Sequence, residues 1–315
     1  MINKSDVIVV GELNVDLILN QVESFPERGK EKIADEMCLT LGSSSAIFAS
    51  NLSSLGMKVS FVGKVGEDMF GNFCKEQLTI KGVDTSLLIQ SNELKTGATI
   101  VLNFGEERAM VTHQGAMKNL SIDDITKEIL TSARHLHFSS YFLQPGFKNK
   151  LDVLFRRAKE AGLSTSLDMQ WDPAEKWDFD FKKVLPWVDI FLPNESELLY
   201  LTGKDSIEAA MQEIGAHAKI VLIKQGKQGS LLYYNNKVLH SKSFSNENVV
   251  DAIGAGDSFN AGFIFKFIQG LAPEDCHVFG NLVGAISTTA PGGTTAFSNY
   301  QSTMRIAKEK FGYEE

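Results

Sequence analysis

The chain predicts a doubly wound α/β fold on a mostly parallel sheet, and three observations carry that prediction. Val7–Val10 and residues 220–223 are unbroken apolar runs, the pattern of strands covered on both faces. Between them strand-like and helix-like stretches alternate, for example 135–140, the amphipathic 148–160 and then 163–168. Such β-α-β alternation implies right-handed crossovers onto one sheet. Third, Gly254-Ala255-Gly256 opens a stretch in which Phe259, Phe263 and Phe267 recur at helical spacing, with Ile264 and Ile268 beside them. That pattern reads as a buried helix beginning near Asp257.

The 315 residues, 43% of them hydrophobic, can fill the core of one domain spanning 1–315. A net charge of -8 argues against a nucleic-acid partner, because binders of the phosphate backbone carry basic patches. It does not exclude an anionic nucleotide, which needs only a local clamp. Cys38, Cys74 and Cys276 stand far apart without metal spacing and suit a reducing compartment. No N-terminal apolar leader and no stretch of about 18 apolar residues is present, so a soluble, cytoplasmic protein away from the membrane is expected.

After Val10 and Gly11 the pattern alternates: Leu13, Val15 and Leu17 fall on one face, and Asn14, Asp16 and Ile18 on the other. Two polar groups thus point the same way at a strand's carboxyl end, where open α/β sheets bind ligands. Residues 30–41 read as a strand outside the main alternation. Residues 98–104 and 109–113 read as two more, joined by a hairpin at 105–108. Gly42 and Ser43 to Ser45 introduce a serine-capped helix that Gly56 ends. After the strand Val59–Val62, Asp68 reads as the cap of a helix running to about Ile80. Trp171, Asp172 and Trp177 fall in an acidic aromatic loop read as surface packing. The strand 189–193 leads into Asn194-Glu195-Ser196-Glu197, whose spacing alone favours a capping box. Lys224 to Gly229 is a glycine turn into a hairpin, and residues 276–289 form a helix carrying Asn281.

The helix mouth at 254–257 carries the chemistry. A helix start leaves N–H groups without partners and holds the positive end of the macrodipole, so it attracts an anion. Glycines let that backbone approach a phosphate closely. An aspartate there repels a phosphate, which makes sense if Asp257 takes the proton of the nucleophile attacking phosphorus. The plain alternative is an acidic first turn with no chemistry.

Asp251-Ala252-Ile253-Gly254-Ala255-Gly256-Asp257 closely resembles the C-terminal signature of the ribokinase-like, or PfkB, carbohydrate kinases, usually Asp-Thr-x-Gly-Ala-Gly-Asp, with Ala252 in place of Thr. Further matches spread over nearly the whole chain. The resemblance implies a three-layer α/β/α fold with a small β lid, from about 12–41 and 95–115, closing over a sugar. It implies that Asp257 is the general base and that the Gly254, Ala255 and Gly256 amides form the anion hole. Asn14 and Asp16 would grip sugar hydroxyls, with Gly42, Ser43, Ile47 and Gln144 at further sugar-site positions. Asn194 and Glu197 match an Asn-x-x-Glu motif that organises Mg²⁺ and phosphate through water. Lys224 and the turn from Gly226 to Gly229 would lie beside the nucleotide, and Asn281 in the adenine pocket. Asp251, Ile253 and Gly293 stand where a potassium site would be. The cofactors implied are ATP, Mg²⁺ and K⁺, and relatives commonly form homodimers through the lid.

Departures concentrate at the acceptor. Ser43 replaces a glycine, Ile47 an asparagine that touches sugar, Gln144 a glutamate and Met117 a frequent asparagine. Ribose, fructose, a 2-keto-3-deoxy sugar acid and a nucleoside all stay open. The main expectation is an ATP-dependent sugar kinase acting on a hydroxymethyl group. Its competitors are a nucleoside kinase of the same family and a non-catalytic sugar- or nucleotide-binding protein on this scaffold. A Rossmann dehydrogenase needs Gly-x-Gly-x-x-Gly after the first strand, where this chain has Gly11-Glu12-Leu13-Asn14. No Gly-Lys pair is followed by Ser or Thr, which excludes a P-loop.

Overall fold

The run Val7–Val10, strand β1, is buried at every position. Val7 and Val9 enter one hydrophobic core, Ile8 and Val10 another. A pleated strand between two helix layers divides its side chains in this way.

The computed structural model describes residues 4–104 and 107–314. After β1 the strands are β2 (Asn14–Asn20), β3 (Glu36–Leu41), β4 (Val59–Val62), β5 (Lys64–Gly66), β6 (Ile89–Ser91), β7 (Gly97–Phe104), β8 (Glu107–His113), β9 (His135–Ser139), β10 (Ser164–Asp168), β11 (Ile190–Phe191), β12 (Ile220–Lys224), β13 (Ser230–Tyr234) and β14 (Lys237–Ser241). The helices are α1 (Ser44–Ser54), α2 (Met69–Ile80), α3 (Lys127–Leu130), α4 (Leu151–Glu160), α5 (Phe181–Val184), α6 (Glu195–Thr202), α7 (Ile207–Gly215), α8 (Ala255–Ile268), α9 (Pro273–Ser287) and α10 (Tyr300–Phe311).

The main sheet runs β14-β13-β12-β11-β10-β9-β1-β4. Its strands from β4 to β12 are parallel, and β13 and β14 close one edge antiparallel. Side chains of α1, α2, α8, α9 and α10 fill one core and those of α3 to α7 the other, the doubly wound layering that the sequence predicts. The chain leaves β1 first toward β4 and later toward β9 on its other side. Their carboxyl ends flank the point where the order reverses, the place where such sheets bind ligands. His135 and His137 of β9 are buried and bonded to Ser164, Ser166 and Ser139. Burial holds both imidazoles well below their ordinary pKa, and so neutral.

A second sheet of four strands runs β3-β2-β7-β8. The alternating stretch after Gly11 is therefore not the carboxyl end of the first strand but a strand of its own, paired parallel with β7 and antiparallel with β3. The strand expected over 30–41 begins only at Glu36. The reason is register: Asn20, the last residue of β2, pairs with Glu36, so earlier residues have no strand beside them. Gly105 and Glu106, part of the expected hairpin turn, lie outside the described residues.

Helix starts also shift. The helix expected from 148 begins at Leu151 because Asn149 takes a left-handed φ of 58°. The one expected from 276 begins at Pro273, whose ring suits a first helical turn. The one expected near Asp257 begins two residues earlier, at Ala255. Ser43 and Asp68 cap α1 and α2 as predicted, each accepting a backbone N–H. Among the described residues no helix is long and apolar enough to cross a membrane.

Candidate active site

Four strand ends and two helix starts converge where the sheet order reverses. Glu12 follows β1 and Ser140 follows β9. Asp168 ends β10 and Lys224 ends β12. From the covering layer, α1 brings Ser43 to Ser45 and α8 brings its first turn.

Gly254 caps α8 with φ 72°, and a Cβ there would stand 2.7 Å from Gly293 Cα and 2.9 Å from Ile47 Cγ2. Only glycine fits that turn. The Ala255 N–H turns back to Ala252 O at 3.3 Å. Of the expected amide ring, the Ala255 member is thus partly spent inside the loop. Gly256 and Asp257 occupy the first helical turn, where N–H groups lack an intrahelical acceptor. A Cβ on Gly256 would lie 3.6 Å from Lys224 Nζ, which places an ammonium at the helix mouth.

Asp257 sits in that turn, 7% exposed. Its Oδ1 accepts from Gln170 Nε2 at 3.1 Å, and the Ser44 hydroxyl also bonds to it. Burial first, then the charge of Asp168, pushes its pKa up to about 8, against the pull of Lys224. Asp168 is fully buried, and its Oδ2 accepts from Lys224 Nζ at 2.8 Å, Asn260 Nδ2 at 2.5 Å and Gln170 Nε2 at 3.0 Å. Burial pulls the Lys224 ammonium down, but Asp168 and Glu197 more than reverse it and hold its pKa above the ordinary lysine value.

Asn194 and Glu197 form the capping box that their spacing favours, with Asn194 Oδ1 accepting Glu197 N–H at 2.9 Å and Glu197 Oε2 accepting Asn194 N–H at 2.8 Å. The box holds Glu197 beside the cleft. Burial, then Asp168, raises its pKa to about 7. Among the described residues no group of three or more His, Cys, Asp or Glu side chains is arranged to hold a metal directly. Asp251 is a clasp: Oδ1 accepts Ile253 N–H and Oδ2 accepts Gly292 N–H, both at 2.9 Å. The Gly293 carbonyl accepts from Asn51 Nδ2 at 2.8 Å.

On β2, Asn14 Nδ2 donates to Asp16 Oδ1 at 2.9 Å and to Thr99 Oγ1 at 3.2 Å. A Cβ on Gly42 would stand 2.2 Å from Asp16 Oδ1, so glycine is required for this approach. Burial first pushes Asp16 up to about 6. Ser43 Oγ donates to Glu12 O at 2.6 Å and caps α1 from a φ of 77°.

Four expected positions have structural contacts of their own. Gln144 is fully buried, and its Nε2 donates to the carbonyls of Ser139 and Ser140, so its amide braces the switch-point loop. Ile47 packs beneath Gly254 and Gly293, where an apolar branch supports the two loops. Asn281 accepts from Ser230 Oγ at 3.0 Å and donates to Ser241 O at 3.4 Å, tying α9 to the edge hairpin. A Cβ on Gly229 would run into Ser241 O, whereas Gly226 opens to free space.

Sequence reasoning missed Glu12, Ser44, Asp168, Gln170 and Asn260. The one available signal was a carboxylate at the carboxyl end of a buried strand, which Asp168 has. Asp172 accepts N–H bonds from Ala174, Lys176 and Trp177 at 2.9, 2.8 and 2.7 Å and so folds the aromatic loop. Trp171, Trp177 and Tyr200 pack there with centroids 5.2–5.5 Å apart. This is surface packing, as expected, but the same loop delivers Gln170 to Asp168 and Asp257.

The pfkB family carbohydrate kinase profile matches residues 4–299. An uncharacterized sugar kinase of Archaeoglobus fulgidus is 32% identical over 236 residues, covering 74% of this chain and 92% of that protein. A 2-dehydro-3-deoxygluconokinase of Bacillus subtilis is 28% identical, covering 84% of this chain and 87% of that protein. The solved structure of Arabidopsis thaliana ribokinase complexed with ribose and ATP superposes with a TM-score of 0.83 at 25% identity, covering 97% of this chain and 99% of that one. A match over that span, across the cleft that ends at Asp257, shows that the chain belongs to the pfkB family of carbohydrate kinases, which are phosphotransferases.

Proposed function

We propose that the protein transfers the γ-phosphoryl group of ATP to a hydroxymethyl oxygen of a small carbohydrate of the ribose, fructose or 2-keto-3-deoxy sugar acid type. The observation that carries this is Asp257: a buried carboxylate in the first turn of α8, raised to about 8, beside amides and an ammonium suited to phosphate. A protein that only bound ligands would have no use for a titratable carboxyl buried at the centre of an anion site, which disfavours the non-catalytic reading.

In the proposed step the acceptor hydroxyl gives its proton to Asp257 as its oxygen bonds to phosphorus and the bond to the ADP oxygen breaks. The amides of the Gly254-Ala255-Gly256 turn and of Asp257 hold the developing charge, with Lys224 beside them. Lys224, Asn194 and the Gly226 to Gly229 turn are assigned to the nucleotide side. Glu197, held at the cleft by its capping box, suits a hydrated Mg²⁺, which when bound neutralises phosphate charge. A potassium ion at Asp251, Ile253 and Gly293 would share oxygens that each already accept one hydrogen bond, through their second lone pairs.

Asn14 and Asp16 are assigned to the sugar, and the second sheet to a lid that closes over it and excludes water. Amide hydrogen exchange in β2 and β3 should slow when sugar and nucleotide are bound together, more than with either alone. Unchanged exchange would remove the lid role. Met37, Met110 and Val111 of this sheet are 70%, 58% and 70% exposed, which supports a homodimer through it. Sedimentation should give twice the chain mass, falling to one mass in Met110→Lys; a monomeric wild type sinks the dimer.

A coupled ADP-release assay over a sugar panel tests the activity. Asp257→Asn should keep nucleotide binding by calorimetry and lose about 10²–10⁴-fold in kcat. Near wild-type turnover in that variant would refute the base assignment, and sugar binding without ADP release would favour a binding protein.

A further inference from the structure

We infer that Asn51, in the middle of α1, is a positioning residue for the transfer step: its side-chain amide sets the direction of an N–H at the helix mouth. The inference rests on the kinase reading and deepens it, because it names what aims the anion hole at the phosphoryl group. Asn51 is fully buried. Its Nδ2 donates to Ser258 Oγ at 2.9 Å, in the first turn of α8, and to Gly293 O at 2.8 Å. A carbonyl only accepts, so the Gly293 contact fixes which side of the amide carries nitrogen.

Ser258 passes the constraint on. Its hydroxyl accepts from Asn51 and donates to Gly254 O at 2.7 Å, and the Ser258 N–H reaches the same oxygen at 2.8 Å. Both lone pairs of the Gly254 carbonyl are thus held on the side facing into the helix. The Gly254–Ala255 peptide is trans and planar, so its C=O and N–H point in opposite directions. Holding the carbonyl inward therefore turns the Ala255 N–H out of the mouth. That N–H has only its long contact to Ala252 O, 3.3 Å, to give up for a stronger acceptor.

The second donation holds the opposite wall. Gly293 lies so close to Gly254 that a Cβ on Gly254 would stand 2.7 Å from its Cα, and Asn51 bonds to both sides of that contact. Lys81 grips the same loop farther along, through Thr294 O at 2.8 Å and Phe297 O at 2.6 Å, both outside α8. Packing alone does not account for Asn51, because its Oδ1 is shielded from water and accepts no hydrogen bond among the described residues. A stranded acceptor costs stability, and an apolar side chain would avoid that cost. What an apolar side chain could not supply is the pair of donations.

The test measures kcat and KM on the full chain with the best acceptor of the sugar panel. Alongside, calorimetry measures the affinity for ADP with Mg²⁺ and aluminium fluoride, a mimic of the phosphoryl group in transfer. Asn51→Ala and Ser258→Ala, checked for folding by their melting temperatures, should each lower kcat and the affinity for the mimic roughly tenfold, with KM for sugar and ATP within about threefold. The double variant should fall little further than either single one, because the two side chains act in series. Lys81→Met frees the same loop and should lower the melting temperature as Asn51→Ala does, while kcat stays near wild type. Wild-type kcat in Asn51→Ala, losses that multiply in the double variant, or an equal loss of kcat in Lys81→Met would reduce Asn51 to packing; each overturns the inference and leaves phosphotransfer standing. No ADP from any acceptor would overturn the kinase reading, and the affinity for the mimic, which needs no turnover, would still uphold or overturn the role of Asn51 at the mouth.

Discussion

The base role proposed for Asp257 conflicts with its burial, and pH should separate the two. A general base must be ionised, so kcat/KM should rise with pH to a midpoint near 8 in the free enzyme, the value to which burial raises it. A flat profile from pH 6 to 9 would contradict that. Stability moves oppositely. The folded pKa of about 8 exceeds the unfolded 3.8, so the protonated carboxyl favours the fold, and its contribution, complete below 3.8, is lost as pH rises through 8. Asp257→Asn should therefore be more stable than wild type at pH 8 by roughly 1–3 kcal/mol, with the gap closing toward pH 4. Thermal melts at both pH values check it, and a gap of opposite trend would mean that the side chain is ionised and solvated. The two glycines flanking Ala255 should also behave differently. Gly254→Ala forces a Cβ against Gly293 at φ 72° and should cost roughly 1–3 kcal/mol, whereas Gly256→Ala, 3.6 Å from Lys224 Nζ, should fold normally and weaken nucleotide binding. Equal melting temperatures for the two would sink the distinction.

At the scale of elements, the loop after β10 is the least expected part of the site. Asp172 gathers three N–H groups, and that folding turns Gln170, at φ 61°, into the cleft. Asp172→Ala strands three donors and should cost roughly 2–3 kcal/mol. It should also lower kcat and shift tryptophan emission to the red, since Trp171 and Trp177 pack on Tyr200 only while the loop holds. Wild-type emission and kcat would show that the loop does not depend on Asp172. The capping box at Asn194 and Glu197 was legible because its partners are three residues apart, one helical turn. The same closeness exposed Asp257 with its glycines. Glu12 with Ser45, Asp168 with Lys224 and Asp168 with Asn260 are 33, 56 and 92 residues apart, and no local pattern joins them.

Across the whole molecule, the same layering explains both stability and site. Two helix layers cover the sheet, so Asp168 at the carboxyl end of β10 is buried close enough to Glu197 and Asp257 to raise the pKa of both. The second sheet owes its existence to a break after Val10. Residues 11–13 carry the chain out of β1 into β2, which pairs with β7 some eighty positions later.

By itself, the sequence determined the doubly wound architecture and the helix mouth at 254–257 with its aspartate, because apolar periodicity and contiguous glycines are local physical signals. Tertiary structure alone decided that Gln144, Ile47 and Asn281 brace loops and strands. It also decided that Glu12, Asp168 and Gln170 belong to the site, since burial and charge contact depend on which distant strands the fold sets side by side.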